Sequence, residues 1–216
     1  VTPVPAREKL PVSVTDAVRR AIMSGRYRPG ERLTEDKVAD EYGVSRVPVR
    51  EAFRALEAEG FLRIAPYSGT YVAELTDVEA EDLLEVRAAI EVLAARRAAE
   101  RCTPEQVADL RALIETAAAT LAGGDFDEVV ALNGKFHLLV AQASGNASLH
   151  QLLQQLRAKI EWVYAADVRD RAGASWHEHA ELVDALEAGD SGAAARLTDL
   201  HIRNARDAYH RRVSGS

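Results

Sequence analysis

The sequence predicts a mainly α-helical chain in two parts: three helices closed by a β-hairpin, then an antiparallel all-α bundle of about six helices. Three observations carry that expectation. Apolar residues recur at helical spacing from residue 12 almost to the end. Two strand-like runs, Phe61-Leu62-Arg63-Ile64 and Thr70-Tyr71-Val72-Ala73, flank the turn Pro66-Tyr67-Ser68-Gly69. Beyond residue 76 the composition shifts to Ala, Leu and Glu, with capping pairs at Thr76/Glu79, Thr103/Gln106 and Ser175/Glu178. The expected domains are residues 1–75 and 76–216.

Residues 1–9, with Pro3 and Pro5, read as a loose arm. Val14, Ala17, Val18, Ala21 and Ile22 place a first helix over 12–24, stopped by Gly25. After the Arg28-Pro29-Gly30 turn, Thr34 caps a short helix through Tyr42, and Gly43 supplies a tight link. Ser45 then caps a helix beginning near Arg46, with Pro48 in the first turn, where its missing N–H removes no helical bond. Val49, Ala52, Phe53 and Leu56 form the packing face of that third helix. Arg46, Arg50 and Arg54 recur every fourth residue beside it. A helix packed on one face and cationic on the next suits the major groove, so these elements read as a helix-turn-helix and the hairpin as its wing. In the second part, stops at Gly123-Gly124, Gly145, Gly173 and Gly189 predict helices near 77–101, 103–122, 125–144, 147–170, 175–188 and 191–211.

The 216 residues are 47% hydrophobic and 28% charged, ordinary for a globular protein and unlike a disordered chain. The net charge of −7 is unevenly placed: residues 1–75 carry 12 Lys/Arg against 11 Asp/Glu, and the acidity lies beyond them. Local patches decide nucleic-acid contact, so the overall sign does not exclude DNA. One cysteine, Cys102, excludes an intramolecular disulfide framework and is read as structural. There is no membrane-length apolar run and no signal-peptide pattern, so the expected location is cytoplasmic.

The two halves together resemble the FadR subgroup of the GntR-family bacterial transcription regulators, with a C-terminal FCD-type ligand-binding domain. The resemblance rests on Gly25-Arg26-Tyr27-Arg28-Pro29-Gly30-Glu31-Arg32-Leu33-Thr34-Glu35, Val38-Ala39, Gly43-Val44-Ser45-Arg46-Val47-Pro48-Val49-Arg50-Glu51-Ala52, Leu56, Gly60 and Gly69. It implies a homodimer on palindrome-like double-stranded operator DNA. Ser45, Arg46 and Arg50 match operator-contacting positions and Gly69 matches the wing glycine. Two positions depart from the pattern. Asp36 stands where many relatives have arginine and should repel phosphate, with Lys37 as a substitute contact. Val47 replaces a frequent hydroxyl residue and offers only an apolar contact, such as a thymine methyl.

Spacing turns three of the six histidines inward: His137 with Val129, Val130, Val140 and Ala141; His179 with Leu182, Val183 and Leu186; His201 with Ala194, Leu197, Ala205 and Ala208. His150, His177 and His210 have no such stripe. Asn133, one turn before His137, can converge with the three on a divalent metal, zinc first, with nickel or manganese as alternatives. The other reading is three separately hydrogen-bonded core histidines. The resemblance adds that metal-binding FCD domains use an Asp or Asn, a histidine one turn later and histidines on two later helices, which Asn133, His137, His179 and His201 match. Arg87 lies on a buried stripe with Leu83, Leu84, Ile90 and Ala94 and needs an anion, supplied either by Glu91 one turn on or, as the resemblance implies, by a small carboxylate metabolite. The expected function is therefore an effector-responsive transcription regulator, read as a repressor and not an enzyme. A constitutive DNA-binding dimer without effector and a metal-dependent hydrolase remain the alternatives.

Overall fold

The structure, a computed structural model, describes residues 13–66, 68–165 and 167–214. The expected arm over residues 1–9 lies outside them. The chain divides into two compact units, the first ending at Glu74 and the second beginning at Leu75.

In the first unit, Ser13 accepts the Asp16 N–H and opens α1 (Val14–Met23), and Thr34 accepts the Lys37 N–H and opens α2 (Glu35–Tyr42). Gly43, at φ 66°, ends α2 in the left-handed region that an L side chain adopts only with strain, which lets α3 (Arg46–Ala58) start three residues later. Ser45 stands at the N-cap of α3, but its side chain makes no capping bond; it is exposed instead. The apolar faces meet in one core: Val18, Ile22, Val38, Val49, Phe53, Leu56 and Phe61 are all buried. The hairpin is β2 (Leu62–Ala65) and β3 (Gly69–Val72), in register Leu62↔Val72 and Ala65↔Gly69. A short strand missed in the sequence, β1 (Arg32–Leu33), pairs antiparallel with β3 and makes the sheet order β1-β3-β2. Two residues between a turn and a cap are too few to show alternation, and pairing alone defines them.

The second unit holds six helices among the described residues: α4 (Asp77–Arg101), α5 (Pro104–Gly123), α6 (Phe126–Ala143), α7 (Ala147–Ala165), α8 (Val168–Glu187) and α9 (Ser191–Ser214). The capping boxes at Thr76/Glu79 and Thr103/Gln106 form as expected, each satisfying two backbone donors that a helix start leaves open. The expected stop at Gly173 and cap at Ser175 do not form. Gly173 is exposed mid-helix, where glycine costs only about 1 kcal/mol relative to alanine, and Ser175 is fully buried within α8. The break falls earlier, and α8 begins after Asp167, whose carboxylate accepts from Arg212 Nε at 3.0 Å. Helices adjacent in sequence pack side by side (α5 on α6, α6 on α7, α8 on α9), while α9 returns along α4. Leu84, Ala94, Ala141, Leu153, Ile160 and Tyr209 join α4, α6, α7 and α9 in one core. Gly134 lets α6 approach α7: a Cβ there would lie 2.1 Å from Glu161 Oε1.

Candidate DNA-reading face and histidine cluster

Of the expected DNA-reading residues, Lys37 lies on α2, Ser45 just before α3, and Arg46, Val47 and Arg50 on α3, and all five face solvent. Ser45, Arg46 and Arg50 are exposed, and Val47, at 63% exposure, is the one large apolar side chain of α3 left open to solvent. An apolar side chain at the front of a helix that packs its other face gains nothing from the core and is available for contact. The cations are each held by an acid. Arg50 donates through Nε and Nη2 to Glu35, both at 2.7 Å. Arg46 pairs with Asp36 at 2.5 Å, and Lys37 Nζ donates to Glu31 at 2.7 Å. Asp36 thus does more than repel phosphate: it orients the first arginine of α3. Exposed pairs of this kind exchange partners at little cost, so phosphates can replace these acids. Gly69, at φ 123°, lies under Arg32, whose Nε would be 2.8 Å from any added Cβ; the wing glycine therefore admits a close side chain as well as an unusual backbone.

In the helical unit, His137 on α6, His179 on α8 and His201 on α9 are all buried, and one ring nitrogen of each lies within 4.8 Å of the others. The expected outer histidines behave differently: His177 and His210 are exposed and His150 is half-buried. Two carboxylates orient two of the inner rings. Glu91 Oε2 lies 2.9 Å from His137 Nδ1, and Glu178 Oε2 accepts from His201 Nδ1 at 2.7 Å. Both rings then carry their proton on Nδ1 and keep the Nε2 lone pair for another partner, the arrangement that supports a metal-binding imidazole. His137 Nε2 accepts from Arg87 Nη2 at 2.8 Å, so any metal at this lone pair would have to displace Arg87. Neither ring nitrogen of His179 has a hydrogen-bond partner, and neither does the side-chain oxygen or nitrogen of Asn133, which is 1% exposed. Phe136 stacks on His179 at 4.0 Å between ring centroids and fixes that ring without giving it a polar partner.

Burial sets the protonation of this cluster. It pushes His179 well below its ordinary pKa, lowers His137 against the opposing pull of Glu91, and takes His201 down to about 4 despite Glu178. The three imidazoles are neutral at pH 7. Burial alone would raise Glu178, but the bonds from His201, Arg171 and Asn204 outweigh it and hold the carboxyl at about 2. Glu91 is likewise held well below the carboxylate range, by Arg87 and His137 against its burial. Arg87 donates to Glu91 Oε1 at 2.8 Å, so the anion expected for this 2%-exposed arginine is at least in part internal.

Of two further participants, Glu178 was expected only as the capping partner of Ser175, and Arg171 was assigned no role from the sequence. Arg171 pairs with Glu178, and Glu178 also accepts from Asn204 Nδ2 at 2.8 Å. The misplaced stop at Gly173 hid them. With α8 continuous from Val168, residues 171, 175, 178, 179 and 182 fall on one face at helical spacing, and that face is the one turned toward the cluster.

Comparison with known proteins agrees with both halves. The family described as bacterial regulatory proteins, gntR family, matches residues 10–72, and the FCD domain family matches residues 82–204. The chain is 30% identical over 192 residues to the uncharacterized HTH-type transcriptional regulator YdhC of Bacillus subtilis, covering 87% of this chain and 85% of that protein. It is 32% identical over 190 residues to a protein of Paenarthrobacter nicotinovorans named as a probable D-xylose utilization operon transcriptional repressor, covering 88% and 84%. The structure of Escherichia coli McbR/YncC shares the fold, with a TM-score of 0.78 at 23% identity over 93% of this chain and 96% of that one. No helix among the described residues is long and apolar enough to cross a membrane. The matched families and relatives are transcription regulators rather than enzymes, and the chain belongs to the GntR family as a DNA-binding transcription regulator with a winged helix-turn-helix and an FCD domain.

Proposed function

We propose that the helical domain binds a divalent metal, zinc first and nickel or manganese as alternatives, on Asn133, His137, His179 and His201, and that a small carboxylate metabolite joining it beside Arg87 changes operator affinity. One observation carries this reading. Three neutral imidazoles converge in the core, Asn133 stands one turn before His137 on α6, and the Asn133 amide and both His179 nitrogens have no hydrogen-bond partner. Leaving such groups unsatisfied costs roughly 1–3 kcal/mol each, a cost that a folded core does not carry without reason. A bound metal would supply a positive centre for a carboxylate oxygen, with Glu91 and Glu178 orienting two of its imidazoles and Arg87 released from His137 Nε2 to face the acid. Asn133 in place of an aspartate adds no negative charge, which leaves more of the metal's charge for the acid.

The protein then acts as a homodimeric, metabolite-responsive repressor, each winged domain reading one half of a palindrome-like operator through Ser45, Arg46, Val47, Arg50, Lys37 and the wing at Gly69. The exposed side chains of Val78, Val86 and Leu93 along α4 offer an apolar surface for the second copy. Coupling requires that the acid bind the DNA-competent and incompetent states unequally. The test begins with duplexes selected from a random pool by the full chain. Their affinity is then measured for metal-loaded protein with and without a panel of small carboxylates. A change of about fivefold or more with a bound acid supports the reading, in line with typical coupling energies of 1–3 kcal/mol. An acid that binds and leaves DNA affinity unchanged favours a constitutive DNA-binding dimer, the reading that the internal Arg87–Glu91 pair also suits.

A further inference from the structure

A cavity beside the histidine cluster is lined by Leu84, Arg87, Ile160, Tyr164, Arg171 and Ala205, among others; at about 10 Å³ it has room for roughly one water, so a larger ligand enters it only as side chains at its mouth move. Two guanidiniums on one small cavity are unusual, and they are not equivalently satisfied. Arg87 gives Nε to Glu91 and Nη2 to His137. Arg171 gives Nη2 to Glu178 and, at 3.5 Å, to the His201 carbonyl, while its Nε and Nη1 have no partner although the residue is only 6% exposed. Tyr164 adds a buried hydroxyl, within reach of Ser175 but without a well-aligned hydrogen bond. Asp167, an acid on the same wall, is tied to Arg212 at 3.0 Å.

From these contacts we infer that Arg171, with Tyr164, forms a second acid-binding subsite facing Arg87 across the cavity, so that the effector is a dicarboxylate held at both ends. The inference rests on the small-acid reading above and narrows it. The unpartnered Nε and Nη1 need an acceptor that the chain does not supply, and a carboxylate is the acceptor that a guanidinium takes best. A monocarboxylate can satisfy one end only. The existing charges already cancel in pairs, Arg87 with Glu91 and Arg171 with Glu178. A divalent ion at the histidines would therefore leave two positive charges for the ligand to balance, and a dicarboxylate carries two negative ones.

The experiment is calorimetric titration of metal-supplemented full chain with malonate, succinate, glutarate and adipate, and with propionate and butyrate, alongside Arg171→Lys and elemental analysis of every sample. The expected result is at least tenfold tighter binding of one dicarboxylate than of either monocarboxylate. Arg171→Lys should bring that ratio close to one with the metal content unchanged. If Arg171→Lys fails to fold, Ala208→Leu, which fills the cavity from α9 without touching a charge, carries the test: it should lose dicarboxylate binding. The inference is overturned by equal binding of mono- and dicarboxylates in the wild type, by a ratio that survives Arg171→Lys or binding that survives Ala208→Leu, or by no binding across the panel. A dicarboxylate preference in protein that holds no metal upholds the subsite and removes the metal from the proposed function; metal without any carboxylate binding removes the acid and keeps the metal.

Discussion

Arg87→Met is the perturbation whose size follows most directly from the structure. It leaves Glu91, 3% exposed, as a carboxylate that has lost its Arg87 partner at 2.8 Å and keeps His137 at 2.9 Å. Breaking a buried ion pair by removing one member typically costs about 3–5 kcal/mol, because the remaining charge stays desolvated, whereas replacing both members by apolar groups is close to neutral. Arg87→Met should therefore destabilise the helical domain by about 3–5 kcal/mol, and Arg87→Met/Glu91→Leu should recover most of the loss. For a domain of this size that loss is roughly 10–20 °C in Tm. Both tryptophans, Trp162 and Trp176, lie in the second unit, so tryptophan fluorescence during urea unfolding follows this domain alone. Chelated protein keeps any metal out of the cycle. A single variant that costs under 1 kcal/mol, or a double variant as unstable as the single, would refute the internal pair as the resting partner of Arg87.

Three further outcomes follow from named contacts. Glu178→Gln weakens the acceptor that holds His201 Nδ1 and should lower metal affinity about 10- to 100-fold while leaving the helical content intact, read by competition with a chromogenic chelator. Asp36→Asn frees Arg46 from its acid, so binding to unspecific duplex DNA should tighten and its log–log salt slope should steepen by about one; an unchanged slope would mean that Arg46 does not reach phosphate. The metal-free protein should lose stability in acid. His201 titrates near 4 when folded against an ordinary 6.5, so protonation favours the unfolded chain; its contribution is complete above pH 6.5 and disappears as the pH falls toward 4. That amounts to about 2 kcal/mol between pH 7 and pH 5, with His179 adding in the same direction, and a flat profile in urea unfolding would contradict it.

Most of the fold was legible because it is written locally. Thr34, Thr76 and Thr103 cap the helices they were expected to cap, and the apolar spacing of Val49, Ala52, Phe53 and Leu56 is the buried face of α3. The inward turn of His137, His179 and His201 followed from the same spacing. What failed was local signal without tertiary context. Gly173 reads as a stop, but the burial of Ala172, Ser175 and Trp176 on either side of it is worth more than one glycine's entropy, and the helix continues. That misplaced boundary put Arg171 in a loop and concealed its place beside Glu178. Ser45 takes the N-cap position expected of it, though without the side-chain bond, and β1 was missed because its two-residue pairing is decided by β3, far away in sequence.

The most direct measurement is the metal content of untagged full-length protein by elemental analysis, beside a folded His179→Ala/His201→Ala double variant, before any chelator is used. The account predicts a stoichiometric divalent ion in the first that is absent from the second. Equal metal in both, or none in either after supplementation, would contradict the metal site and leave the histidines as a packed core around the Arg87–Glu91 pair.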